Sequence, residues 1–166
     1  PDLPVPKPGK EGKDVSNEYD LIIDRRANWY GVQTGYRMQF SYEFSVPKLG
    51  SEFHYRHFGL QLYRAWQVLE RHNFIVRATT QIGEDLPFQG EYLMGGTSMR
   101  GWLNNQFRGD IKQQVNLEYS VPVFTVLGFG VRALAFFDSG YATFHDTANK
   151  DRKYLPGAAI KRLVPF

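Results

Sequence analysis

Tyr36-Arg37-Met38-Gln39-Phe40-Ser41-Tyr42-Glu43-Phe44-Ser45-Val46 alternates without a break. Tyr36, Met38, Phe40, Tyr42, Phe44 and Val46 share one parity; Arg37, Gln39, Ser41, Glu43 and Ser45 share the other. Successive strand residues point to opposite faces, so the pattern predicts a strand with one wholly apolar face. At ~3.3 Å per residue it covers ~36 Å, or ~25 Å along a membrane normal at a tilt of ~45°. That length fits a bilayer and is about twice the ordinary strand of a soluble domain.

Working outward, the same period recurs. A short strand is expected at 19–24, followed by a polar turn through Gly35. At 53–66, Phe58, Leu60 and Leu62 share a face that Arg64 interrupts, and at 74–82 Phe74, Val76, Ala78 and Ile82 oppose Arg77, Thr79 and Gln81. Val115, Leu117, Tyr119, Val121 and Val123 alternate with polar partners, and at 129–140 the outward set is Phe129, Val131, Ala133, Ala135 and Phe137. Parity then turns Glu118, Arg132 and Asp138 to the opposite, lumen face. Short turns at 69–73 and 125–128 would lie on one side, periplasmic in an outer-membrane barrel. The loops at 83–112 and 142–156 would lie on the other, extracellular side. Residues 1–18, with four prolines and seven charged residues, read as a loop or disordered tail.

The expected fold is all-β: about six strands of an antiparallel transmembrane β-barrel, occupying 19–166 and carrying the long inserted loop 83–112. A candidate further strand begins in 158–166, although Pro165 suits a central strand poorly. Six strands are too few to close a barrel, and an open edge in lipid leaves backbone groups unsatisfied. The segment therefore reads as part of a larger barrel, or as one that needs neighbours.

Composition narrows the function classes. Aromatics make up 16% of 166 residues, most of them Tyr and Phe. No run of 18 apolar residues exists to form a transmembrane helix, which a barrel does not need. Cysteine is absent, removing disulfides, thiol nucleophiles and thiolate metal sites together. A formal charge of +3 is too small to imply a nucleic-acid partner. No signal-peptide pattern opens the chain, which reads as mature or as a fragment. His54 and His57 fall on opposite strand faces, unsuited to joint metal ligation. Gly96-x-Ser98 runs on to Arg100 where a nucleophile elbow requires glycine. Gly128-Phe129-Gly130 opens a strand where a phosphate fingerprint would open a helix. Trp29, Tyr30, Trp66 and Trp102 fit interfacial girdles.

The 83–112 connection is far longer than a hairpin loop, a length more often functional than idle. At its centre stands Gly95-Gly96-Thr97-Ser98-Met99-Arg100-Gly101-Trp102, and downstream runs Ala135-Phe136-Phe137-Asp138-Ser139-Gly140. An arginine-glycine-aromatic loop followed by a strand ending Phe-x-Asp-x-Gly resembles the Omp eighty-five superfamily of outer-membrane assembly and secretion translocators, over roughly 19–142. Trp102 replaces the commoner Phe or Tyr. The resemblance implies a middle-to-late portion of a sixteen-strand barrel in the bacterial outer membrane. It implies that the loop, with Gly95, Gly96, Arg100, Gly101 and Trp102, folds into the lumen and that Arg100 pairs with Asp138. Glu118 is a second candidate acceptor. It further implies no cofactor and no catalytic residues. The implied partners are outer-membrane lipid, unfolded outer-membrane or secreted polypeptides, and accessory lipoproteins or further barrel strands. The alternative is a non-translocating barrel: a porin, a ligand binder, or the anchor of a passenger such as a patatin-like lipase.

Overall fold

The computed structural model describes residues 12–29, 31–126, 129–145 and 157–161. Among these residues nine strands follow in chain order: β1 Ser16–Trp29, β2 Val32–Ser45, β3 Tyr55–Gln67, β4 Asn73–Glu84, β5 Tyr92–Met94, β6 Phe107–Gly109, β7 Ile111–Val126, β8 Phe129–Thr143 and β9 Gly157–Lys161. Among the described residues, seven form one antiparallel sheet in the order β1-β2-β3-β4-β7-β8-β9, and β5 and β6 form a separate hairpin. The sheet does not close on itself: β1 and β9 stand at its two edges. The fold is all-β, and no described helix is long and apolar enough to cross a membrane.

Several boundaries differ from the sequence expectation. The strand expected at 19–24 runs from Ser16 to Trp29 and pairs with β2 along its whole length, so the polar turn through Gly35 is strand. Its second half, Asp24-Arg25-Arg26-Ala27-Asn28, carries charge on both faces, which hides the period. Asp24 and Arg26 share the lumen face and pair at 2.6 Å. Of the tail expected at 1–18, residues 16–18 belong to β1, 12–15 have no regular structure, and the rest lies outside the described residues. β7 starts at Ile111 and β8 ends at Thr143, each longer than its alternation suggests. Pro122 keeps its register partner Arg132, and the β7–β8 register shifts just after it, where Val123 is left without a partner and Phe124 meets Val131. The seventh strand of the sheet, β9, overlaps the candidate region 158–166 and starts one residue before it, at Gly157; Pro165, Tyr30 and most of the 142–156 loop (146–156) lie outside the described residues.

The two faces of the sheet sort as the alternation requires. Across the outer face, Ile23, Met38, Leu62, Ala78 and Val115 stand side by side, with Leu21, Phe40 and Leu60 in the next row. Phe40 meets Phe58 edge-on at 5.0 Å. Across the inner face, Asp24, Arg37, Tyr63, Arg77, Asn116 and Asp138 form one continuous row. The short connections between β1 and β2, β3 and β4, and β7 and β8 lie at one end of the sheet, and those that follow β2 and β4 at the other. The largest fully buried apolar side chains, Met94 and Met99, lie between the inserted loop and the inner face, beside Ala142. The core therefore lies on the inner face of the wall.

Candidate functional site: the inserted loop against the barrel wall

The 83–112 loop is not structureless. Phe88–Gly90 makes a single turn of 3₁₀-helix, and β5 pairs with β6 in a short hairpin. The tip, 95–102, closes on itself: Gly96 N donates to Trp102 O at 3.1 Å and Trp102 N to Met99 O at 3.3 Å. Ser98 Oγ donates to Gly95 O at 2.9 Å. Gly95 and Gly96 have φ of +135° and +58°. Only glycine takes such angles freely, and a Cβ on Gly96 would strike the Asn104 side chain. Gly101, at φ +84°, makes the bend that sends Trp102 away from Arg100.

That bend separates two contacts. Trp102 packs edge-on against Phe107 at 5.1 Å and borders the Met94–Met99–Ala142 cluster. It lies in the loop and not in an interfacial girdle, which corrects the reading of it as a membrane-surface aromatic. Arg100 turns the other way, onto the wall. Its Nε donates to Asp138 Oδ2 at 2.8 Å and its Nη2 to Asp138 Oδ1 at 2.6 Å, a bidentate fork. Its backbone N donates to Asp138 Oδ2 as well, at 3.0 Å. Nη1 donates to Glu118 Oε1 at 2.5 Å. The guanidinium lies 3.9 Å from the centre of the Phe136 ring. These hydrogen bonds, Asp138 first, hold the guanidinium above its ordinary pKa.

The downstream motif now has a physical explanation. Phe136, Asp138 and Gly140 are alternate residues of β8 and so share the lumen face. Phe136 offers a ring for Arg100 to lie on, and Asp138 offers the carboxylate. Gly140 leaves room for two sulfurs: a Cβ there would stand 2.5 Å from Met94 Sδ and 2.7 Å from Met99 Sδ. Asp138 is 1% exposed, where an unpaired carboxylate would be costly.

Sequence reading missed the residues that complete this network. Asn116 Nδ2 donates to Asp138 Oδ1 at 2.8 Å and to Ser98 O at 3.0 Å. Gln114 Nε2 also reaches Ser98 O. Arg77 Nη1 pairs with the second oxygen of Glu118 at 2.9 Å, so Glu118 bridges two arginines. The signal was present, because Gln114, Asn116 and Glu118 share a parity and Arg77 faces them from β4. A second clasp holds the loop near its base: Arg108 pairs with Glu91, donates to Phe88 O and lies over the Phe88 ring. His57 projects into the lumen, with its ring centre 5.1 Å from that of Tyr92, while His54 precedes β3; the structure does not bring the two histidines together. Among the described residues, no group of three His, Cys, Asp or Glu could hold a metal ion.

The arrangement provides a polar wall with a loop clasped to it. Beside the clasp, a cleft of about 390 Å³ opens between Thr97, Arg100, Arg77 and Gln114.

Nothing among curated proteins matches the chain. A family model described as the Omp85 superfamily domain, however, matches residues 8–159. That match takes in the wall and the inserted loop together: the chain belongs to the Omp85 superfamily, a family of outer-membrane insertases and transporters.

Proposed function

We propose that this segment is the part of an outer-membrane insertase or translocase barrel that seats the inserted loop, in a protein that assembles outer-membrane proteins or exports polypeptide. One observation supports the reading above others: Arg100 is held by two carboxylates, from β7 and β8, and by an aromatic ring. A solvated loop arginine gains little from a single surface partner. An arginine forked into a carboxylate of 1% exposure fixes where the loop sits. Arg100, Glu118 and Asp138 act as the clasp, Gly95, Gly96 and Gly101 shape the tip, and Trp102 anchors it from the far side. The substrates are unfolded polypeptides, which meet a lumen kept polar by the Arg37–Tyr63–Arg77–Asn116 row. A porin or passenger anchor does not require the Arg100–Asp138 pair.

The test is activity in proteoliposomes with the full-length protein. Arg100→Ala and Asp138→Ala should each reduce insertion or export of an unfolded β-barrel substrate severalfold while the protein still inserts in the bilayer. Wild-type rates in both variants would remove the clasp from the mechanism.

A further inference from the structure

The lipid-facing side carries two arginines that the proposed translocation reading does not use. Arg25 and Arg64 both flank Tyr36: Arg25 is its register partner on β1 and Arg64 its partner on β3. All three stand on the outer face, so the two arginine Cα atoms are ~10 Å apart across one aromatic residue. The Arg64 guanidinium lies 5.7 Å from the Tyr36 ring centre and 5.3 Å from that of Trp66. Among the described residues neither arginine has a carboxylate within ion-pair distance. Arg56, also on the outer face but at the opposite end of β3, does have one, Glu84 at 3.9 Å.

Position in the membrane gives the pair its meaning. Arg64 is three residues from the end of β3 at the short-turn side, one outward position in from Trp66. Trp29 is exposed at the same end, and Trp66 stacks on Phe74. Short turns of outer-membrane barrels are periplasmic, and aromatic girdles mark the headgroup level. An apolar trough of about 380 Å³ is bordered by Arg64 and Trp66, has Val76 level with Arg64, and runs toward the middle of the membrane along Met38, Leu62 and Ala78. Ala78 is the small residue in the row Met38–Leu62–Ala78–Val115, which makes the depression.

We propose that Arg25 and Arg64 bind the phosphate of an anionic glycerophospholipid in the periplasmic leaflet, with one acyl chain in the Met38–Leu62–Ala78 trough. Charge and shape both point to that occupant. Two cations on a lipid face need an anion, planar guanidinium groups match a phosphodiester, and the trough continues from the cations into the apolar zone. This rests on the reading of the sheet as a membrane wall.

The experiment extracts the full-length protein from bilayers of phosphatidylethanolamine and phosphatidylglycerol and measures retained lipid by native mass spectrometry. Retention of phosphatidylglycerol should fall roughly fivefold for each arginine removed in Arg25→Gln and Arg64→Gln. Arg64→Lys, which keeps the charge but not the flat stack, should lose part of it. Arg56→Gln should match wild type. Equal phosphatidylglycerol retention in wild type and the Arg25→Gln/Arg64→Gln double variant, with both inserted in bilayers, overturns the lipid site and leaves the membrane wall standing. Failure of the wild-type protein to enter bilayers overturns both.

Discussion

Gly140 lies beneath Met99: a Cβ on the glycine would stand 2.7 Å from the Met99 sulfur and 2.5 Å from that of Met94. The last glycine of the strand motif is thus a matter of volume, and the loop reaches the wall because this position is empty. Methionine bends, so Gly140→Ala should be partly absorbed, whereas Gly140→Val should lift the tip and lengthen the Arg100–Asp138 contact. Overpacking of this kind costs ~1–3 kcal/mol. Thermal unfolding of the two variants in detergent checks the order, with valine the more damaging. Equal stability of all three proteins would mean the loop does not rest there.

The loop should also resist protease. Arg100 and Arg108 are both held by carboxylates, whereas Lys48 sits on an exposed turn between β2 and β3. Trypsin added to the folded protein in membranes should cut after Lys48 well before it cuts after Arg100 or Arg108. Early cleavage at Arg100 would show a loop free of the wall.

How far could these features be read from the sequence? The wall was legible wherever one face is uniformly apolar, as in 36–46. It was not legible in the second half of β1, where Asp24 and Arg26 face inward while Arg25 faces outward beside Tyr36. A strand whose outer face carries a charge loses the contrast on which period-two reading depends. The pairing of Arg100 with Asp138 was expected from the family resemblance together with parity, since parity alone fixes the face of Asp138 but not what comes to meet it. The short β5–β6 hairpin was hidden because three-residue strands have no period to detect. Trp102 misled for a different reason: an exposed aromatic and a packed one look alike until the partner, here Phe107, is placed.

The two faces of β2 should differ in a direct measurement. Met38 and Phe40 are about two-fifths exposed on the outer face, and Gln39 and Glu43 line the inner one. Spin labels at 38, 40, 42 and 44 in reconstituted protein should report oxygen accessibility, and labels at 39, 41 and 43 should report contact with a water-soluble relaxant. Equal values for the two sets would contradict a lipid-facing outer wall.

Glu118 links the loop to Arg77, at 2.9 Å, as well as to Arg100. Glu118→Gln should therefore weaken both contacts but leave the Asp138 fork in place. It should destabilise by less than Asp138→Ala, by ~1–2 kcal/mol against ~3 kcal/mol, because the lumen is partly wet and the guanidinium keeps one carboxylate. Unfolding midpoints measured side by side check the ranking; a larger loss for Glu118→Gln would make Glu118 the main acceptor.

The claim on which the rest depends is that Arg100 and Asp138 hold the loop as a pair. A double-mutant cycle on unfolding in bilayers or detergent, with Arg100→Ala, Asp138→Ala and both together, measures it. Each single change leaves the other residue without its main partner, Arg100 keeping Glu118 and Asp138 keeping Asn116, and the double change leaves neither behind. The double variant should therefore cost less than the sum of the singles, by at least ~1 kcal/mol, the scale of coupling between directly contacting charges. Strict additivity would mean that the two residues do not act on each other, and the clasp would have to be given up.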